Sequence, residues 1–271
     1  MRCMQTEADN EPKAWPIIVG GSHRSGTTLV RRLLNAHPDI FCPGEIKFHK
    51  DLLRQFPNDP LAIGRLGASI SSLGLDAEEW LDTFGQAFIA LYQRATAKAG
   101  KTRWADKNPE NCLNIGHWDR LLDGRCLFVM VVRHPYDILC SMQEIGMPKV
   151  LPLDVSGRSR HIASYLQSGQ AFCEMNPDRS FVLRYEDLLE NPDDHLSRLF
   201  GFLGESKPPD LMAQAFNGAK PDGLGDPKAG SFGSLDPSRV GRWRAELSAS
   251  DIALVQEPLN WILHRWGYTD A

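Results

Sequence analysis

The feature that most constrains this chain is the string Gly21-Ser22-His23-Arg24-Ser25-Gly26-Thr27-Thr28, set between an apolar run and an apolar-striped helix. Pro16 to Gly20 reads P-I-I-V-G, a β-branched run of the kind that forms a buried parallel strand. Thr27 to Ala36 places Leu29, Leu33 and Leu34 on one helical stripe, and Pro38 ends it. Strand, Gly-rich turn and helix together open a βαβ unit. The turn has the G-x-x-x-x-G frame of a phosphate-binding loop, but Thr27 stands where the Walker lysine would be. The amides of such a turn and of the helix start behind it still make an anion nest. The ammonium group that bridges β- and γ-phosphates is missing, and Arg24, Ser25, Thr27 and Thr28 offer donors of other geometry. The anion expected there is phosphate-like without being a nucleoside triphosphate.

The remaining chain continues the alternation. Short strands are expected around Ile40–Cys42, Thr102–Ala105, Cys126–Val132 and Phe181–Leu183. Helices are expected over most of Phe48–Ala99, with breaks at Pro57, Pro60 and Gly74, and with Leu81, Phe84, Phe88 and Leu91 at helical spacing. Others follow Pro109 to about Leu122, carry Ile138, Leu139 and Met142, run from the Arg184–Asp187 region through Leu203, and close the chain over Asp251–Trp266. Strands alternating with helices predict a three-layer α/β/α sandwich around a central parallel sheet, of the P-loop NTPase-like kind. Residues 1–271 read as a single domain, with a flexible start at 1–14, a helical insertion at 48–100 and a Gly/Pro-rich mobile loop at 208–238. In such sheets ligands bind beyond the carboxyl ends of the strands.

Composition excludes some classes. A net charge of −4 argues against general nucleic-acid binding. The six cysteines are scattered without C-x-x-C or zinc spacing, as in a reducing cytosol. The polar start has no apolar leader core, and no run approaches the ~18 apolar residues of a membrane span. The expectation is a soluble, cytoplasmic protein that does not contact membranes.

The string R-S-G-T-T-L-V-R-R-L-L-N-A-H-P-D-I, followed by Gly44-Glu45, resembles the 5′-phosphosulfate loop of the sulfotransferases that use 3′-phosphoadenosine 5′-phosphosulfate (PAPS). It is most similar to their tyrosylprotein and carbohydrate branches. The likeness spans about Ile17–Glu45, Lys107–Met142, Phe181–Leu203 and Val240–Tyr268, and it implies that the loop from His23 to Thr28 holds the donor. Arg133 and Ser141, eight residues apart across a strand end and the next helix, match the family's 3′-phosphate motif. A guanidinium recognises phosphate through two parallel bonds, and a helix can carry a hydroxyl to the same group. The strand before Arg133 ends in that arginine rather than a Walker B aspartate, a second mark against metal-dependent NTP chemistry.

Tyr185 in R-Y-E-D-L-L-x-x-P is either a half-buried strand-end aromatic or, by the resemblance, a neighbour of the adenine. Val240-Gly241-Arg242-Trp243-Arg244 resembles the segment that closes over the nucleotide, which implies a 3′-phosphate contact for Arg242. The preferred general base is Glu45, because the short strand after the first helix returns it to the loop's edge; partial burial should raise its pKa. It also matches the glutamate of the tyrosylprotein branch, while His49 and His134 stand as alternative bases. Arg24 and Lys107 are expected to neutralise sulfuryl and phosphate oxygens, and Ser231 or Ser234 to supply a hydroxyl. The product would be adenosine 3′,5′-bisphosphate (PAP), with no metal implied. The acceptor stays open among tyrosyl, sugar and small-molecule hydroxyls, and the insertion at 48–100 is expected to shape its site. A kinase or NTPase and a catalytically inactive nucleotide-binding protein are the competing readings.

Overall fold

The computed structural model describes residues 15–47, 60–145, 150–216 and 235–268. Five strands, β1 (Ile17–Gly21), β2 (Ile40–Phe41), β3 (Arg103–Lys107), β4 (Leu127–Val132) and β5 (Ser180–Arg184), form one sheet in the order β2-β3-β1-β4-β5. Every pairing is parallel, with Val19 in register with Lys107 on one side and Val129 on the other. The first strand is therefore central, and the loop leaving it opens at the sheet's carboxyl edge. That is the architecture read from the sequence.

Burial on both faces follows from the two-residue period of a strand. Ile18, Phe128, Met130 and Val132 point to one layer, where they meet helices α4 (Asn111–Leu121), α5 (Pro135–Ile145), α6 (Val155–Met175) and α11 (Ala249–Arg265). Ile17, Val19, Leu127, Val129 and Val131 point to the other, against α1 (Thr27–Ala36), α8 (Pro192–Phe202) and α9 (Leu211–Phe216). The described cysteines are reduced and buried, and burial pushes the thiols of Cys42, Cys126 and Cys140 up to about 12. They serve as small apolar residues.

Helices α2 (Pro60–Ser72) and α3 (Ala77–Lys98) occupy the insertion, separated at Gly74, whose φ is +72°. Pro60 is the first residue of α2, where a proline forfeits no helical bond. Phe88 is buried, but Leu91 is 51% exposed, and Tyr92 takes the inner place one turn beyond Phe88. The side chains of Leu81 and Phe84, and the break at Pro57, lie outside the described residues.

Three further departures have local causes. The helix expected through Leu203 is two, α7 (Tyr185–Glu190) and α8, because Asn191 caps the second by accepting from Asp194 N and Pro192 supplies its first turn. Part of the expected mobile loop is α9, which seats Leu211 and Ala215 against α1. The 21-residue helix α6, capped by Asp154, has no counterpart in the sequence reading. Its Gly169 lies so close to α4 and β4 that a Cβ would stand 2.9 Å from Cys112 Sγ and 3.1 Å from Met130 Sδ. Among the described residues no helix is long and apolar enough to cross a membrane.

Candidate active site

The loop after β1 folds as an anion nest. Ser25 N donates to Ser22 O at 3.1 Å, and two residues adopt positive φ, Arg24 at +70° and Gly26 at +102°. Such alternation turns successive N–H groups toward one point, and α1 adds its own free amides from Thr27 onward. Gly26 is needed twice over: for its backbone, and because a Cβ would lie 2.5 Å from the Tyr185 ring. Ser25 is fully buried, and its Oγ has no hydrogen-bond partner. A buried hydroxyl left unsatisfied at the floor of a nest is a place for a ligand oxygen.

On the β4 side, Arg133 is 5% exposed and ties the loop to a distant segment. Its Nη1 donates to Arg24 O at 3.1 Å and its Nη2 to Arg239 O at 2.5 Å, while the guanidinium carbon sits 4.7 Å over the Tyr185 ring. Its Nε is buried without a partner. Arg24 turns its side chain this way too, donating from Nε to Ser141 Oγ at 3.1 Å. Arg24 thus links Arg133 to Ser141, and Tyr185 lies against both the loop glycine and Arg133.

Above this cluster runs the segment from Asp236 to Leu247, which contains the short helix α10 (Trp243–Glu246). Asp137 in the first turn of α5, fully buried, accepts from Gly241 N at 2.7 Å and from Trp243 N at 3.0 Å. Burial raises the Asp137 carboxyl pKa, and these amides and Arg133 oppose the rise. Arg242 forms ion pairs with Glu144 at 3.0 Å and Glu246 at 2.7 Å rather than reaching Arg133 or Ser141. Asp137 was missed in the sequence because an acid in a helix's first turn already has an ordinary explanation.

On the β3 side, Lys107 ends its strand 1% exposed, and its Nζ donates to Glu45 Oε1 at 2.6 Å and to Thr28 Oγ1 at 3.4 Å. Glu45, returned to this edge after β2, also meets Lys47 at 3.2 Å. The carboxylate is partly buried and stands between two ammonium groups. Beneath it, buried Asp106 accepts from Tyr92 Oη and from Asn111 Nδ2, whose own carbonyl accepts from Trp118 Nε1. This network anchors the strand end that presents Lys107.

A third group joins the loop to α6: His23 Nδ1 and His161 Nε2 are 3.1 Å apart, with Tyr165 stacked on His161. His134 is a brace. It lies parallel to Trp243, accepts from Tyr136 N, and has its pKa lowered to about 3, by burial first and then by Arg244, Arg133 and Arg184. It is neutral at physiological pH, and its acceptor nitrogen, Nδ1, is spent on the helix start. Ser231, Ser234 and His49 lie outside the described residues. Far from this edge, at the amino ends of the strands, His37, Asp39 and Glu205 bring three ligand-type atoms within 4.8 Å. Glu205 is paired with Arg103 there, and His37 Nδ1 accepts from Asp39 N, so this trio is already engaged.

An all-parallel five-stranded sheet with a nest-forming loop after its central strand defines the P-loop-like α/β/α class. Within it, residues 16–209 match the sulfotransferase family, and the chain belongs to that family. It is 26% identical over 271 aligned residues to the nodulation protein NoeE of Sinorhizobium fredii, covering 88% of this chain and 62% of that protein. It is 26% identical over 195 residues to the protein-tyrosine sulfotransferase of Drosophila melanogaster, covering 69% of this chain and 37% of that one. The chain thus spans less than two thirds of either relative's length. Its fold is that of the sulfotransferase domain of the Synechococcus PCC 7002 olefin synthase, with a TM-score of 0.64 at 22% identity over 90% of this chain and 93% of that one.

Proposed function

We propose that this protein transfers the sulfuryl group of PAPS to a hydroxyl acceptor. The observation that carries the reading is the pairing of two anion cradles on one sheet edge, each with a buried donor lacking a partner: Ser25 Oγ in the loop and Arg133 Nε beside it. A nucleotide with phosphates on both its 5′ and 3′ sides suits two cradles better than a triphosphate, which would want a loop lysine that Thr27 replaces.

The loop amides with Ser25, Thr27 and Thr28 would hold the 5′ end, and His23 belongs to the same wall. Arg133 and Ser141 would hold the 3′-phosphate, with Tyr185 flanking the adenine and Arg24 able to serve either cradle. Arg242 would join them only by exchanging Glu144 or Glu246 for phosphate. PAPS, when bound, supplies a sulfuryl group already attached to a good leaving phosphate. What the chain contributes is position, charge and proton removal. Glu45 would accept the acceptor's hydroxyl proton, and Lys107, 2.6 Å from Glu45, would turn to the oxygens where negative charge develops. The α2–α3 insertion would shape the acceptor site.

Calorimetric titration tests the donor. PAP should bind without magnesium and ATP should not; magnesium-dependent preference for ATP would sink the proposal. For the base, Glu45→Ala should abolish sulfuryl transfer while PAP affinity stays within about threefold, since the carboxylate is assigned to the acceptor proton. Retained turnover would take the role away from Glu45.

A further inference from the structure

Sequence motifs account for two sides of the phosphate loop, but not for the third. His23 is 8% exposed, and its Nδ1 faces His161 Nε2 across 3.1 Å, from 138 residues away on α6. Ring centroids of the two imidazoles are 5.1 Å apart; Tyr165 stacks on His161 at 4.3 Å and meets His23 edge-on at 5.4 Å. A nitrogen-to-nitrogen bond needs one donor and one acceptor, so a neutral pair shares a single N–H. Protonation adds a cation without breaking that bond, because the imidazolium still donates to its neighbour.

We infer that His161 is a positioning residue of the phosphate loop, and that the His23–His161 pair takes up a proton, carried on His161 with its Nε2–H donated to His23 Nδ1, when an anionic nucleotide enters. The inference rests on the donor reading above. Acting on the pair are Glu110, from the connection between β3 and α4, and Tyr165 on α6 itself, while Arg24, next in the loop, turns its side chain to Ser141. Burial holds the His161 pKa down and Glu110 opposes it. A phosphate placed in the nest adds negative charge next to His23, in a region with little water to screen it, which favours the charged form. Donor binding thereby recruits a cation to the loop that lacks the Walker lysine, and His161 fixes which way the His23 ring points as it does so. This role falls on no catalytic step: His161 acts through His23.

The test is calorimetry of PAP binding near pH 7 in two buffers of different ionisation enthalpy, which counts protons exchanged per nucleotide. Wild type should take up on the order of half a proton more than either His161→Gln or His161→Phe. His161→Gln keeps a donor for His23 but cannot titrate, so its PAP affinity should stay within about threefold; His161→Phe should lose about tenfold. A thermal melt checks that each variant folds, and if His161→Phe does not, the glutamine variant decides alone. Identical proton counts in wild type and His161→Gln would overturn the inference while leaving the donor reading intact. Failure of wild type to bind PAP would overturn both.

Discussion

Asp137→Asn should release the segment that closes over the Arg133 cradle without unfolding the domain. The carboxylate accepts two backbone amides from that segment, Gly241 N at 2.7 Å and Trp243 N at 3.0 Å. Asparagine keeps one neutral acceptor and turns an amide N–H₂ toward the second donor. Hydrogen bonds to a charged acceptor contribute about 1.5–3 kcal/mol and neutral ones about 1, so the exchange costs roughly 3 kcal/mol. Burying the carboxylate is itself unfavourable, as the direction of its pKa shift shows, and removing the charge offsets part of that loss. A net cost of about 2 kcal/mol remains, which corresponds to roughly thirtyfold more frequent opening. Opening is local, because Arg133 still holds Arg239 O and the sheet is untouched. Amide hydrogen exchange at Gly241 and Trp243 reads it directly, with β4 amides as the internal reference. Protection unchanged within about threefold, or lost equally in β4, would refute the reasoning.

Two further outcomes concern stability. The folded-state pKa of His134 lies at about 3, below its unfolded value, so its contribution is present above about pH 6.5 and lost as pH falls. Between pH 7 and pH 5 the wild type should lose about 2 kcal/mol through this group, and His134→Asn, which keeps an acceptor for Tyr136 N, should lose correspondingly less; equal losses in denaturant melts at both pH values would count against it. Tyr92→Phe removes a donor from a fully buried carboxylate, Asp106, and should lower the denaturation midpoint by an amount worth about 1–3 kcal/mol at unchanged m-value, whereas an unmoved midpoint would show the hydroxyl to be dispensable.

What the sequence disclosed was what lies close along the chain. β1 and β4 were legible because their residues are apolar on both faces, and the loop because its glycines have no substitute. Arg133 and Ser141 were legible as a strand end and a position two helical turns on. Glu45 could be placed because a parallel strand after α1 must return to the same edge. The split at Asn191-Pro192 was written as an ordinary cap and first-turn proline, and only continuity with Leu203 obscured it. Helix α6 was hidden for a different reason. Arg158, Ser159 and Gln170 are buried among its apolar positions, which erases the polar face that periodicity depends on. The clasp from Asp137 to Gly241 spans 104 residues and the His23–His161 contact spans 138, and no local pattern encodes either.

The glycine at 169 gives this last contact its sensitivity. It lies eight residues from His161 along the same helix, roughly 12 Å. With only hydrogen facing the Cys112 and Met130 sulfur atoms, α6 can rest directly against α4 and β4. A methyl group at that point would force either those two side chains or α6 itself to give, and a shift of the helix would carry His161 with it. Residue 169 therefore acts as a spacer for chemistry it never meets. The absence of a side chain at one turn of α6 thus bears on the footing of an imidazole two turns away.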